Sequence, residues 1–135
     1  MEVQRKADII FRKSGRIDIK AHVSHALNLE PGDIIGIVFD KDQRELYLYV
    51  SLRKNERKVQ CSRFHNEVKA TSIRSNRYLR VQSMQLCDFV NGLTGANESW
   101  LYVGNAKSVN IKGRQVVAIP LIWRNNIYKD DEEYI

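Results

Sequence analysis

The chain of 135 residues has few of the residues that would mark a metal site or a disulfide-stabilised fold. Its two cysteines, Cys61 and Cys87, are far apart and lack CxxC spacing, so we expect them to be reduced and packed. His22 and His25 lie three residues apart, and His65 is distant. No carboxylate or thiol completes a tetrahedral ligand set with them at a recognisable spacing. The sequence therefore predicts no metal and no other cofactor.

Long apolar runs and catalytic motifs are also missing. The sequence has no run of about 18 apolar residues, and residues 1–9 lack the apolar core of a signal peptide. We therefore expect no membrane partner and a cytoplasmic location, in a cell or in a mobile element that replicates inside it. GxSxG, P-loop, GxGxxG and HExxH motifs do not occur. Some enzymes of barrel topology process themselves at a Gly-Ser pair. The only such pair of residues in this sequence, Ser14-Gly15, has the opposite order. We predict that the protein is not an enzyme.

Positive charge is in excess, and the acidic residues are unevenly placed. The formal charge is +6, and four acidic residues stand at positions 130–133, so residues 1–129 carry +10. A basic body attracts polyanions, of which nucleic acid is the commonest in the cytosol. The alternative is a mildly basic domain that contacts no nucleic acid.

Residues 13–50 contain local patterns in a recognisable order. After the Ser14-Gly15 turn, residues 16–20 alternate polar and apolar side chains, which predicts a half-buried strand. Residues 21–29 carry apolar side chains at three- and four-residue spacing, which predicts a helix of about two turns that ends at Pro31-Gly32-Asp33. An apolar run at 34–39, a polar turn at 40–43 and an alternating segment at 45–50 predict a β-hairpin.

This order resembles the AbrB/SpoVT/MazE family of swapped-hairpin DNA-binding domains over residues 9–50. The residues that carry the resemblance are Gly15-Arg16-Ile17 with Ile19, Val23, Leu27, Leu29, Gly32-Asp33 with Ile35 and Ile37, and Leu46 with Leu48. Lys20 departs from the pattern, because the family usually has proline there. The resemblance implies a β-barrel made by two interleaved copies. It also implies DNA binding through basic residues of the N-terminal strand and turn, which by position are Arg12, Lys13 and Arg16.

The second half of the chain can be aligned with the first. A unit of about 45 residues buries too little apolar surface to be stable alone, so the first half needs a partner. An offset of 62 residues pairs Phe11 with Ile73, Ile17 with Leu79 and Ile19 with Val81. This similarity predicts an internal duplication; the alternative is a chance likeness of the kind that any two segments of mixed structure can share. The protein would then be a monomeric pseudo-dimer, with a homodimer as the alternative.

The remaining elements of the second half follow from its local pattern. Ser83 is a plausible N-cap for a helix over residues 84–90, which Asn91-Gly92 would end. Residues 100–103 and 115–121 then predict strands that correspond to those at 34–39 and 45–50.

The predicted fold is mainly β with two short helices, an α+β pseudo-symmetric barrel of AbrB-like type built from two tandem halves. We expect a single domain with a first half at 7–51, a connecting hairpin at 52–67, a second half at 68–124 and an acidic tail at 125–135. One shared core is expected to contain Leu27, Ile35, Ile37, Leu46, Leu48, Leu79, Val81, Leu86, Phe89 and Val117.

Three groups of cations are candidate DNA-binding residues. Two flank corresponding turns, and the third lies at the tip of the connecting hairpin: Arg12, Lys13 and Arg16; Arg74 and Arg77; and Arg53, Lys54 and Arg57. Arginine binds phosphate as a fork or pairs with guanine, whereas lysine mostly neutralises phosphate. The alternative is structural, because exposed turns commonly carry cations and a charged tip prevents edge-to-edge strand pairing.

The predicted function is double-stranded DNA binding, as a transcriptional regulator or an antitoxin-like repressor. The alternative is a structural or assembly protein of a phage or mobile element, whose barrel contacts a protein partner. Trp100, Tyr102 and Trp123, with Tyr47 and Tyr49, could stack on single-stranded bases. In alternating strands such aromatic residues are more typical of a half-buried barrel surface.

Overall fold

The computed structural model describes residues 7–56, 66–70 and 79–123. Strands make up 48% of these residues, together with two α-helices and one short 3-10 helix, so the prediction of a mainly β protein is confirmed. No helix in this part of the chain is long and apolar enough to cross a membrane. Among the sequence predictions, Arg57, Arg74, Arg77, Cys61, His65 and the tail at 125–135 lie outside the described residues.

Nine strands and two α-helices form one antiparallel assembly. In chain order they are β1 (Ile9–Phe11), β2 (Arg16–Ile19), α1 (Ala21–Leu27), β3 (Ile34–Asp40), β4 (Glu45–Leu52), β5 (Val68–Ala70), β6 (Leu79–Gln82), α2 (Met84–Thr94), β7 (Ser99–Val103), β8 (Lys107–Ile111) and β9 (Arg114–Ile122). The strands are hydrogen-bonded in the order β3-β4-β9-β7-β1-β2-β6-β5, and β8 pairs with β9.

The two ends of this strand order meet, so that the sheet forms a nearly closed barrel. Ile34 in β3 makes a β-bridge with Glu67, directly before β5. The Val68 amide donates to the Asp33 carbonyl, and the Gly32 amide donates to the Val68 carbonyl, both at 2.8 Å. These bonds satisfy backbone groups at what would otherwise be exposed sheet edges.

The order strand pair, helix, strand pair occurs twice in the described residues, with β8 inserted between β7 and β9 the second time. β1 pairs with β2 and with β7, while β5 pairs with β6 and meets β3. Ile9 lies opposite Ile19, and Val68 lies opposite Val81 in the corresponding pair. Ala70 lies opposite Leu79 as Phe11 lies opposite Ile17, while Ile73, which the offset of 62 paired with Phe11, lies outside the described residues. Eight residues separate β5 from β6, whereas four separate β1 from β2.

The core lies inside the barrel and is shared by both halves. Ile9, Ile17 and Val81 are fully buried, and Leu79 and Leu101 face the same interior. Helix α1 adds Val23 and Leu27, and α2 adds Leu86, Cys87 and Val90. Each large aliphatic side chain buried in this way contributes roughly 1.5–3 kcal/mol relative to exposure.

Two residues predicted for the core are instead on the surface. Phe89 is 42% exposed and Val117 is 57% exposed, so their assignment to the core was wrong. A helix turns by about 100° per residue, and the buried face of α2 is formed by Leu86, Cys87 and Val90, which leaves Phe89 on its flank. Val117 lies in the part of β9 that pairs with β8, beyond its register with β4. Ile37 is partly buried against the core.

The helix ends also differ in part from the sequence prediction. Ser83 is the N-cap of α2, since its Oγ accepts a hydrogen bond from the Leu86 amide at 3.2 Å. The helix does not end at Asn91-Gly92 but continues to Thr94, where Gly95 adopts a left-handed conformation with φ of 73°. The β8–β9 hairpin was not predicted, although its two-residue turn Lys112-Gly113, with positive φ at both positions, is typical of such hairpins.

Candidate nucleic-acid interface

The β1–β2 turn is a tight loop with a basic residue on each side. The Arg12 amide donates to the Arg16 carbonyl at 2.9 Å, and the Gly15 amide donates to the Arg12 carbonyl at 3.0 Å. Gly15 has a φ of 91°, and a Cβ at this position would lie 2.6 Å from the Met84 Sδ. A φ of this value favours glycine, whereas the Met84 side chain is flexible and could move aside, so the backbone conformation is the main requirement for Gly15.

The turn is anchored on the segment that begins α2. The Ser83 amide donates to the Gly15 carbonyl at 2.8 Å, and the Gln82 side-chain amide donates to the Ser14 carbonyl at 2.9 Å. A turn held by hydrogen bonds to a neighbouring segment positions its side chains better than a free loop does. The basic residues of this turn are therefore presented from a supported backbone.

Arg12 and Arg16 share one carboxylate. The Nε of Arg12 donates to Oδ2 of Asp18, and the Nε of Arg16 donates to Oδ1, both at 2.6 Å. Nη1 of Arg12 also lies 3.6 Å from Oε2 of Glu98. The hydrogen bond to Asp18 raises the pKa of the Arg12 guanidinium above its usual value, so this group stays charged. The two arginine side chains remain 35% and 43% exposed, whereas that of Asp18 is 19% exposed.

A row of side chains crosses five strands beside this turn. Trp100, Ile10, Asp18, Arg80 and Lys69 lie opposite one another in register on β7, β1, β2, β6 and β5. On β1, β2 and β6 the residues on either side of this row are buried, so the row lies on the outer side of the barrel wall, where Ile10 is 9% exposed. Arg80, Lys69 and Trp100 are exposed. Residues from distant parts of the chain thus meet on one surface.

We call this surface the basic face, and define it by Arg12, Lys13, Arg16, Lys69 and Arg80. Five cations stand against the carboxylates of Asp18 and Glu98, which leaves a net positive surface. Lys69 and Arg80 were not among the sequence-predicted site residues. The alternation in β6, where Arg80 stands between buried Leu79 and Val81, would have shown that Arg80 points outward. Its proximity to Asp18 depends on strand pairing, which no local pattern reveals.

Arg53, a predicted DNA-binding residue, is engaged within the protein. Its Nη1 donates to the Asn28 carbonyl at 2.7 Å, and its Nη2 donates to the Leu27 carbonyl at 2.8 Å. Nη1 also pairs with Asp33 at 3.1 Å, and the side chain of Asp33 is 2% exposed. Arg53 thereby satisfies the last carbonyls of α1 and compensates a buried charge.

The predicted hairpin tip has a different local structure. Residues Lys54–Glu56 form a 3-10 helix directly after β4. The Lys54 amide donates to Oδ1 of Asp33 at 2.8 Å, while its side chain is exposed. Arg53 and Lys54 are the two predicted tip cations within the described residues. The Arg53 side chain makes contacts that stabilise the fold, whereas the Lys54 side chain is exposed.

The histidines and the described cysteine do not form a chemical site with one another. His22 contacts Oδ1 of Asp8 at 2.8 Å, and the other Asp8 oxygen accepts a hydrogen bond from the Val103 amide. No three His, Cys, Asp or Glu side chains converge to hold a metal ion in residues 7–56, 66–70 and 79–123. Burial raises the pKa of the Cys87 thiol to about 11, so it stays protonated at neutral pH.

The aromatic residues separate into exposed and buried members. Trp100 is half exposed, and its indole Nε1 donates to Oε1 of Glu98 at 2.8 Å. With Tyr102 and Trp123 it lines a cleft of about 290 Å³. Tyr47 is 2% exposed, and the Nζ of Lys107 lies 5.2 Å from the centre of its ring. Trp100 is thus an aromatic residue that adjoins the basic face.

Comparison of the chain with protein-family models, curated proteins and solved structures finds no match.

Proposed function

We propose that this protein binds double-stranded DNA through the basic face. The observation that carries the proposal is the convergence of Arg12 and Arg16 on one supported turn, next to Arg80 and Lys69 in the cross-strand row. Cations grouped on one face release condensed counterions when they neutralise DNA phosphates, and this release drives association.

The chemistry of the residues suits a duplex. Exposed Lys13 and Lys69 are point charges on flexible stems, which contact phosphates without regard to sequence. The arginines carry planar forks that pair with phosphate or with guanine. The basic face therefore combines groups that position a duplex with groups able to read it.

The fold supports a more specific version of the proposal, in which the chain is a tandem AbrB-like protein. The repeated order of strand pair, helix and strand pair, with β1 beside β7 and β5 beside β3, is what two interleaved swapped-hairpin halves in one chain would give. We propose that such a monomeric pseudo-dimer acts as a transcriptional regulator or an antitoxin-like repressor. The intramolecular partner removes the need for a second chain to complete the barrel.

The test is a titration of a fluorescent random-sequence duplex with the full chain at about 50 and about 200 mM salt. Because each neutralised phosphate contributes about −0.9 to the slope of log affinity against log salt, contacts from most of the basic face predict a slope between about −3 and −5. A slope near zero, or no binding at low salt, would refute the proposal. The control is a variant in which Lys41 and Arg114, exposed cations outside the basic face, are exchanged for alanine. It loses the same charge as a variant in which Arg12 and Arg16 are exchanged for alanine.

The second candidate function is a protein contact in an assembly, which the exposed apolar residues of α2 favour. Met84 is 49% exposed and Phe89 is 42% exposed. An interface built on apolar area depends weakly on salt, since screening acts on charges. Replacement of both residues by serine should abolish such a contact and leave the salt slope for DNA unchanged.

A further inference from the structure

Asp18 holds the two arginines of the β1–β2 turn by equivalent atoms. Each of its carboxylate oxygens accepts one Nε–H, from Arg12 on one side and from Arg16 on the other, at 2.6 Å in both cases. A guanidinium is planar, so a bond at Nε on one edge restricts the orientation of the whole group. Charge-assisted hydrogen bonds of this kind are about twice as strong as neutral ones.

This arrangement leaves the outer edges of both forks available. Among residues 7–56, 66–70 and 79–123, Arg16 makes its hydrogen bond to Asp18 through Nε, and no bond involves its Nη atoms. For Arg12, Nη1 lies 3.6 Å from Glu98, beyond hydrogen-bond distance. The Nη edge of Arg16 is therefore fixed in orientation and makes no hydrogen bond within the described residues, and that of Arg12 has one long ion pair, at 3.6 Å to Glu98.

The spacing of the two forks matches neighbouring base pairs. One carboxylate holds both Nε atoms, so the guanidinium groups lie within about two steps of a duplex, each step being about 3.4 Å. The Nη edge of arginine pairs with O6 and N7 of guanine in the major groove, the commonest specific contact of this side chain. Nonspecific phosphate binding needs no such fixed orientation, since a point charge suffices.

We propose that Asp18 is a positioning residue that presents Arg12 and Arg16 to two guanines within about two base-pair steps of each other. This inference rests on the proposed function and names the chemistry that the basic face reads. Lys13, Lys69 and Arg80 contact phosphates only, whereas Arg12 and Arg16 add discrimination to the positive charge that they bring to the duplex.

The test compares three duplexes of equal length. The first contains the neighbouring guanines enriched from a randomised library by the wild-type protein, the second has A·T pairs at those positions, and the third has 7-deazaguanine, which pairs normally but lacks the N7 acceptor. The wild-type protein should bind the first at least about fivefold more tightly than either of the others, because each bidentate pair gives discrimination of that order or more.

Two variants separate positioning from charge. Asp18→Asn removes an acceptor from one arginine and also removes a negative charge. The guanine preference should fall severalfold, while affinity for the A·T duplex stays equal or rises. Arg12→Lys with Arg16→Lys keeps both charges and loses both forks, so the preference should disappear with the salt slope unchanged. This second variant keeps the test valid if Asp18→Asn is poorly folded.

The outcomes distinguish this inference from the proposed function. If Asp18→Asn tightens binding to all three duplexes equally, Asp18 only neutralises charge and the inference is overturned. A wild-type protein that binds with a steep salt slope but enriches no guanines overturns the inference and retains DNA binding. Absence of salt-dependent binding to any duplex overturns both.

Discussion

Two arginine–aspartate clusters in this protein use the same chemistry for different ends. Arg53 directs its Nη atoms to the carbonyls of Leu27 and Asn28 and to buried Asp33. Arg12 and Arg16 bind Asp18 through Nε and leave the Nη edge outward. The engaged nitrogen atoms therefore decide whether an arginine completes the fold or remains available to a ligand. Sequence position alone did not separate the two groups, since all three arginines stand near predicted turns.

The largest expected effect is on stability, from Arg53→Ala. This variant leaves the Asp33 carboxylate buried without its cation and the last carbonyls of α1 without their donor, which should cost about 2–4 kcal/mol of unfolding free energy. Denaturant unfolding followed by circular dichroism measures the change. Lys54→Ala is the matched control, because its backbone amide still donates to Asp33, and it should change stability by less than about 0.5 kcal/mol. Equal losses in the two variants would contradict a structural role for Arg53.

The complementary change, Arg12→Ala with Arg16→Ala, should act on DNA binding. Loss of the two charges should reduce the magnitude of the salt slope by up to about two units, because each cation that neutralises phosphate charge contributes about 0.9. The measurement is the titration at two salt concentrations, with the Lys41 and Arg114 double variant as control. An unchanged slope and affinity would place the binding surface elsewhere on the protein.

Replacement of Lys69 and Arg80 by alanine sharpens the comparison within the basic face. These exposed residues are expected to contact phosphates, so their loss should weaken binding to all duplexes uniformly and reduce the salt slope by at most about two units. The ratio of affinities for guanine-containing and A·T duplexes should not change. A change in that ratio would show that these residues also read bases.

The smallest expected effect is the stability change in Asp18→Asn. The Arg12 and Arg16 side chains are more than a third exposed, and exposed ion pairs contribute about 0–1 kcal/mol. The unfolding free energy should therefore fall by less than about 1 kcal/mol, far less than for Asp33→Asn, whose carboxylate is buried. Similar losses in the two aspartate variants would remove the distinction between the clusters.

Local sequence patterns predicted the elements whose stability is decided locally. Alternation located β2 and β4, the correspondence with the first half located β9, and the Ser83 N-cap located the start of α2. Phe89 was assigned to the core because the apolar residues of α2 cover a wide face of the helix. Only part of that face packs against the barrel, and Phe89 lies outside that part. The strand β8 was missed because its burial is slight, with Ile111 as its buried member.

The composition of the candidate site was less predictable, because contacts across the barrel decide it. Arg12 and Arg16 are close in sequence and were identified from the turn. Arg80 and Lys69 join them only through the pairing of β2 with β6 and of β6 with β5. The partners of Arg53 lie 25 and 26 residues away, so its structural role has no local indication.

The placement of β1 between β2 and β7 has a consequence for folding kinetics. Asp8, directly before β1, accepts a hydrogen bond from the amide of Val103, which lies 95 residues further along the chain. The chain must lose the entropy of closing this long segment before the stabilising contacts form. Proteins dominated by such long-range pairings fold in milliseconds to seconds. During synthesis, β1 cannot pair with β7 until residues 99–103 have left the ribosome. The pairing of β1 with β7 thus delays completion of the barrel and extends the time during which β1 lacks one of its partner strands.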